Sequence, residues 1–593
     1  MKNLITLNRF LYRYRWKLLL GTLFVGLSNF FRVLQPQMVR EALDLVLENI
    51  KLFKLLEGTD ARADLYMEIG SILLYFGILV LILALIMGVF MYFMRQTIIV
   101  ASRLIEYDLR KEIYDKYQEL DQLFYRRNKT GDLMSRITED VNKVRNYLGP
   151  AILYFINLLT LFIIVIYAMV SVSPTLTFYV LLPLPLLSIS IYYVSSIINR
   201  KSERIQRQLA YLNSVAQEVY SGIRVLKSYV REKQMSTYFN AQSNVFKEKS
   251  ISLAKVDALF SPLMLLLIGT STIITIYIGG IQMIRGDLSP GNIAEFVLYV
   301  NMLAWPVTAI GWIASIVQQA EASMNRINQF KSTPSQIENI GTIRQQVKGK
   351  IEFKNVSLTY PDTGINALKD ISLIINPGEK VGIVGKTGSG KTSLADLMVR
   401  TFDPTEGNIF IEGKNLKHYD LFHLRKSIAY IQQDVFLFSD TIEENIKFGK
   451  ANAKKGEIEK YSKLAAIYED IKEFPKGFQT ITGERGVTLS GGQKQRISIA
   501  RAFIKNPEII ILDDCLSAVD TKTEQQIINH LRNELTDKTT LMITHRLDAL
   551  QYFDRIIVLD KGRIIEEGTH VELIQIEGAY FNIFEKQKLA EIE

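Results

Sequence analysis

The sequence predicts a membrane protein in two parts: a six-helix all-α transmembrane region with long cytoplasmic helical extensions over residues 1–335, then an α/β domain over residues 336–593. Three observations predict it. Apolar runs of bilayer length are confined to the first half, Lys and Arg cluster on one side of those runs, and short β-prone segments alternate with helical ones after Gly341. At 593 residues the chain is too long for one ordinary domain. Hydrophobic residues make up 48% beside 70 Lys+Arg and 61 Asp+Glu, so apolar and charged segments must be segregated, which excludes global disorder. The single cysteine, Cys515, excludes a disulfide framework and a Cys-based zinc site.

A membrane-crossing helix needs about 20 apolar residues. Six stretches qualify, with cores from Leu18 to Pro36, Ile69 to Met94, Leu148 to Ser171, Leu176 to Ile198, Ala258 to Ile281 and Ile293 to Val317. A soluble helix keeps a polar face, whereas Ile72 to Met91 is apolar all round. Between the second and third stretches lie Arg103, Arg110, Lys111, Arg126, Arg127, Lys129 and further basic residues. Between the fourth and fifth lie Arg200, Lys201, Arg204, Arg207, Arg224 and Lys227, while the loop from Ser171 to Thr177 has none. Basic residues stay on the cytoplasmic side, so both termini are expected there, in a multi-pass protein of the cytoplasmic (inner) membrane. The net charge of +9 is then juxtamembrane, which argues against a nucleic-acid partner. Leu4 to Leu18 mixes aromatics with arginines and is expected to lie along the lipid surface; it does not read as a signal peptide, and the first span after it reads as a retained anchor.

The two basic connections, residues 97–146 and 199–255, are rich in helix formers and poor in proline. Twenty helical residues reach ~30 Å, so each can rise from the bilayer, turn and return. The predicted tips are Lys116 to Gly131 and Arg207 to Gly222, placed to touch a cytoplasmic domain and carry its motion into the membrane.

The chemistry lies in the second part. Val381 to Val384 runs into Gly385-Lys386-Thr387-Gly388-Ser389-Gly390-Lys391-Thr392 and then a helical stretch, the strand, loop and helix of a phosphate-binding loop. Its glycines let backbone N–H groups close on phosphates, Lys391 neutralises their charge, and Thr392 offers a hydroxyl to Mg²⁺. Asp513, ending the apolar Ile509 to Leu512, is the predicted carboxylate partner of that metal, and Asp514 the group that polarises an attacking water. Upstream, Leu489-Ser490-Gly491-Gly492-Gln493 precedes a helix predicted near Lys494 and makes a second helix-end phosphate site, implying that it caps the nucleotide of another copy.

At these residues the sequence resembles the ATP-binding cassette (ABC) superfamily, and six spans followed by one cassette resembles bacterial half-transporter exporters of the lipid and multidrug type. The resemblance covers nearly the whole chain and implies an α/β P-loop ABC ATPase domain. Tyr360 resembles the aromatic that stacks on adenine, Gln433 the glutamine that meets the metal and the attacking water, and His545 the switch histidine at the γ-phosphate. Asp520 in Ser517-Ala518-Val519-Asp520 matches the D-loop, and Gly483-Glu484-Arg485-Gly486 the loop that meets the membrane-region tips. The implied cofactors are ATP and Mg²⁺, and the implied catalytic residues Asp514, His545 and Gln433.

One position departs from the family: after the Walker B aspartate it has glutamate, and this chain has Asp514. The carboxylate sits about 1.5 Å back, and misplacement of that size can cost ~100-fold in rate. In the family such a change usually accompanies a heterodimer, whose other half-transporter supplies the glutamate; a homodimer hydrolysing with aspartate is the second possibility. Polar residues in the spans are few: Arg32, Asn157, Glu295, Asn301 and Trp305, with Pro36 and Pro306 at expected bends. Arg32 either meets an anionic group or is a structural or snorkelling charge. The resulting expectation is an ATP-driven exporter of lipids or amphipathic compounds, in contact with membrane lipids. The rivals are an ATP-gated channel or regulatory membrane protein with slow hydrolysis, and an importer, against which the fused architecture argues.

Overall fold

The computed structural model describes residues 2–55, 61–483, 486–534 and 537–592. The chain divides into two units, Met1–Gln118 with Gly131–Thr333, and Glu119–Thr130 with Pro334–Glu593. The tip of the first helical excursion thus groups with the second unit.

The first unit is helical. Its long helices are α1 (Arg15–Leu55), α2 (Ala61–Glu119), α4 (Ile152–Val172), α6 (Pro183–Ser221), α7 (Glu232–Ile284) and α8 (Pro290–Lys331), with the short α5 (Pro174–Leu181) before α6; the tip helix α3 (Gln122–Arg127), which follows α2, belongs to the second unit. Among the described residues, five helices are long and apolar enough to cross a membrane: Arg15–Ile50, Asp64–Glu119, Thr130–Val172, Glu232–Ile284 and Pro290–Lys331. The fourth expected crossing, Leu176 to Ile198, is instead carried by two helices that meet at Leu182. Pro183 and Pro185 account for the break: neither has a backbone N–H, and Pro183 takes the first helical position of α6, where none is needed.

The first tip falls where expected, with α2 ending at Glu119 and α3 capped by Asp121, whose side chain accepts from the Phe124 N–H. The second lies later than expected. Helix α6 continues to Ser221, and the chain reverses over Gly222 to Arg231 because no helix breaker precedes Gly222. Pro36 and Pro306 lie inside α1 and α8.

Val33, Leu161, Val165, Met169, Leu176, Phe296, Tyr299 and Leu303 form a core joining α1, α4, α5 and α8. Beside it, fully buried Glu295 accepts from Tyr299 Oη at 2.8 Å and pairs with Arg40 Nη1 at 3.1 Å. Asp44 accepts from Ser289 Oγ and from the Gly291 N–H at 2.7 Å, tying α1 to the start of α8. A Cβ at Gly291 would lie 2.6 Å from the Arg40 carbonyl, so only glycine permits this approach.

The second unit holds two sheets. A four-stranded antiparallel sheet has the order β2-β1-β4-β5, from β1 (Ile351–Thr359), β2 (Asn366–Ile375), β4 (Glu406–Ile411) and β5 (Lys414–Asn415). A six-stranded sheet has the order β10-β9-β3-β8-β7-β6, from β3 (Lys380–Gly385), β6 (Ile428–Ile431), β7 (Ile509–Asp513), β8 (Thr539–Ile543), β9 (Arg555–Asp560) and β10 (Arg563–Gly568). All its pairs are parallel except β9 with β10. Strands covered on both faces read as unbroken apolar runs, as in Ile509 to Leu512, all buried. Three helices matter for the site: α9 (Lys391–Met398), α10 (Gly491–Ile504) and α11 (Thr521–Glu534).

Candidate nucleotide site

In the parallel register Ile383 lies opposite Ile543, and Ile543 opposite Asp513. The loop after β3, the end of β7 and the residues after β8 therefore open on the same edge of the sheet. Ligands of open α/β sheets bind outside this carboxyl edge.

The phosphate loop is built by its glycines. Gly385, Gly388 and Gly390 have φ of 153°, 81° and 105°, and a Cβ at Gly390 would lie 2.5 Å from the Ala367 carbonyl. Lys386, Thr387 and Gly388 are exposed, while Ser389 is buried with its Oγ lacking a partner among the described residues. Lys391 Nζ donates to the carbonyls of Gly385 at 2.8 Å and Lys386 at 3.0 Å, and burial pulls its pKa below the usual lysine range. An ammonium held by two neutral carbonyls gains by meeting an anion instead.

Thr392 places its side-chain hydroxyl near Asp513, whose carboxyl burial pushes up. A hydroxyl and a carboxylate form a hard oxygen set of the kind Mg²⁺ takes. Asp514 follows with φ 45°, a left-handed conformation that aspartate tolerates, and its Oδ2 accepts from Gln433 Nε2 at 3.1 Å. Among the described residues the amide oxygen of Gln433 accepts no hydrogen bond. His545 is exposed just after β8, its carbonyl accepting from Gln587.

Tyr360 stands beside the loop. Its hydroxyl bonds Ser393 Oγ at 2.9 Å and its ring meets Phe402 edge-on at 5.2 Å. Arg126 of the tip helix α3 lies 4.7 Å from the Tyr360 ring centre and 3.2 Å from Asp362, and Arg127 donates to the Pro361 carbonyl at 2.8 Å. The expected adenine platform is thus held by arginines from the helical excursion.

The signature segment begins its helix three residues before the expected Lys494. Ser490 is the N-cap of α10, and its Oγ accepts from the Gln493 N–H while Gln493 Oε1 accepts from the Ser490 N–H. This capping box settles the start. Gly491 and Gly492 face Ala518, and Gln495 accepts from the Ala518 N–H at 3.0 Å, so the signature helix and the 517–519 loop move as one piece. Asp520 caps α11, accepting from the Thr523 N–H at 3.0 Å, and this holds its carboxyl below the usual range. Among the described residues no hydrogen bond joins Ser490, Gly491, Gly492 or Gln493 to the phosphate loop. Glu484 and Arg485 lie outside the described residues, as does the side chain of Trp305. In the membrane unit half-buried Arg32 has no ion-pair or hydrogen-bond partner among the described residues.

The family described as ABC transporter transmembrane region matches residues 18–307, and the family described as ABC transporter matches residues 368–517. The probable multidrug resistance ABC transporter ATP-binding/permease protein YheI of Bacillus subtilis (strain 168) is 38% identical over 533 residues, 89% of this chain and 91% of that protein. The chain belongs to the ABC transporter family. The transporter is also 35% identical, over 80% of its length, to the ATP-dependent lipid A-core flippase of Pseudomonas syringae pv. syringae (strain B728a), covering 79% of that protein. The structure of a bacterial Atm1-family ABC exporter with ATP bound superimposes with a TM-score of 0.77 at 23% identity, covering 97% of this chain and 99% of that one, and so shares the fold. The transporter is therefore a multi-pass membrane protein that binds and hydrolyses ATP, of a family whose half-transporters generally dimerise.

Sequence reasoning counted Arg126 and Arg127 only as juxtamembrane charge and passed over Ser393, Asp396 and Tyr430. Ser393 sits on the helix that follows the loop and was within reach of the motif; the others had no spacing signal.

Proposed function

We propose that the transporter is one half of an ATP-driven exporter, moving lipids or amphipathic compounds outward from the cytoplasm or inner leaflet of the cytoplasmic membrane. The intact set of phosphate loop, Asp513, Gln433, signature segment and His545, fused to membrane helices in one chain, carries this reading. Residues 1–335 form the transmembrane domain and 336–593 the cassette, and both termini face the cytoplasm. Likeness to a multidrug resistance protein and a lipid A-core flippase supports the substrate class.

In this mechanism backbone N–H groups from Gly385 to Thr392 take the phosphates, Lys391 leaves its two carbonyls for the β- and γ-phosphates, and Tyr360 stacks on adenine. Thr392 and Asp513, with the amide oxygen of Gln433, would hold Mg²⁺, which supplies neutralisation of phosphate charge. Asp514 orients the attacking water and His545 meets the γ-phosphate. Ser490, Gly491, Gly492, Gln493 and Asp520 close on the nucleotide of a second half-transporter, which fits the absence, among the described residues, of a hydrogen bond from the signature to its own loop. Asp514 supports slow cleavage at this site and a heterodimer whose partner supplies a glutamate. A homodimer is distinguished by purifying the tagged chain alone and measuring whether it dimerises and hydrolyses ATP.

The export reading is tested with inverted vesicles carrying the transporter. ATP should drive accumulation of an amphipathic dye, and Lys391→Ala should abolish it. Passive ion conductance without accumulation would refute export in favour of a channel.

A further inference from the structure

Behind Asp513 lies a second carboxylate with an unusual neighbour. Asp396 sits on α9, one turn beyond Thr392, half-buried, and its only side-chain hydrogen bond among the described residues comes from Tyr430 on β6. The Tyr430 hydroxyl lies 3.3 Å from Asp396 Oδ1 and 3.3 Å from Asp513 Oδ2. A phenol carries one proton and can donate to one carboxylate at a time. Both contacts are longer than the ~2.7 Å that a closed O–H···O bond prefers. Tyr430 is fixed by its strand, since it pairs with Ile511 two residues before Asp513. A half-buried position filled by a hydrocarbon would pack as well; a hydroxyl there costs free energy unless it is bonded.

We propose that Tyr430 is a positioning residue for Asp513: its single proton is shared between Asp513 on β7 and Asp396 on the helix of the phosphate loop, and fixes which oxygen of Asp513 faces the metal. Donation to Oδ2 turns that oxygen toward the strand and leaves Oδ1 to face the ion. Because Asp396 rides on α9, a shift of that helix when phosphate fills the loop redistributes the proton, so nucleotide binding and orientation of the metal carboxylate are linked through one hydroxyl. The inference rests on the reading of Asp513 as a metal partner.

The test uses the full-length transporter in lipid nanodiscs, with Mn²⁺ as the probe followed by electron paramagnetic resonance at saturating ATP, and ATP affinity measured separately in EDTA. Tyr430→Phe should weaken Mn²⁺ binding about tenfold, the lower end of what one hydrogen bond to a charged group is worth because the proton is shared, with ATP affinity in EDTA unchanged. The loss should be larger in an Asp396→Asn background, where a neutral amide competes less for the proton, so the two substitutions are non-additive. Unchanged Mn²⁺ affinity, a parallel fall in metal-free ATP affinity as in a packing defect, or strict additivity would each overturn the proposal. Asp513→Asn separates the underlying reading: if it too leaves Mn²⁺ affinity unaltered, Asp513 is not a metal partner and both readings fall, whereas its loss beside an inert Tyr430→Phe refutes only the role of Tyr430.

Discussion

The phosphate and signature loops of the cassette and the buried charges of the membrane unit differ in how far along the chain they reach for partners. In the cassette Lys391 bonds Gly385 and Lys386 within its own loop, and Ser490 bonds Gln493 three positions on. In the membrane unit Arg40 reaches Glu295 and Asp44 reaches Gly291, separations of 255 and 247 residues. Local bonding imprints a spacing that can be read as a motif. Distant bonding leaves only an isolated charge in an apolar run, whose purpose appears once helices pack.

The comparison is broken most severely at Glu295. A carboxylate with no exposure, holding Arg40 and Tyr299, is a long-range tie on which α1 and α8 both depend. Removing one member of a buried pair strands the other, and Glu295→Ala should destabilise the membrane unit by about 3 kcal/mol, the lower end for such pairs because Arg40 retains Glu41. Thermal unfolding in detergent, compared with Lys391→Ala, would measure it. The cassette substitution disturbs only local bonds and should leave unfolding near that of the parent; equal effects would remove the distinction between the units.

A smaller effect is expected where a local motif departs from its pattern. Asp514 accepts from Gln433, so the short carboxylate is engaged but set back from the position a longer side chain would reach. Asp514→Glu should raise ATP turnover by ~10- to 100-fold if reach limits cleavage. The purified full-length chain reports this as a rate; an unchanged or lower rate would mean that the left-handed backbone at this position, with φ 45°, decides the geometry instead.

Legibility in the sequence follows the same division. The phosphate loop, Asp513 and the signature segment could be read because strand, loop and helix stand next to one another in the chain. The start of α10 lies three residues before its predicted place because the Ser490 to Gln493 capping box opens the helix across two glycines, which by propensity disfavour it. The break at Leu182 had a visible cause in Pro183 and Pro185, but hydropathy summed over the run hid it. Arg126 illustrates a different limit. Its charge was visible and its use was not, because stacking on Tyr360 joins a tip helix to a cassette loop 234 positions later along the chain, and no periodicity links them.

The smallest expected effect sharpens the comparison, since Asp396 lies on the helix after the phosphate loop and yet, like the buried membrane charges, finds its hydrogen-bond partner, Tyr430, outside its own segment. Burial, reinforced by Asp513, pushes its carboxyl from the ordinary aspartate value of 3.8 up to about 6. A folded pKa above the unfolded one means that the contribution to stability is complete below pH 4, is lost as pH rises toward 6, and is absent above it. The transporter therefore carries a penalty at pH 8 that Asp396→Asn removes, while at pH 4 parent and variant carry a neutral group alike. Partial exposure screens the charge, so the gain at pH 8 should be about 1 kcal/mol rather than the ~3 kcal/mol that the shift alone implies. The difference in unfolding midpoint between variant and parent, followed from pH 4 to 8, should grow through pH 5 and level off above 6. A difference that is constant across this range would show that the amide acts through packing and not through the charge it replaces.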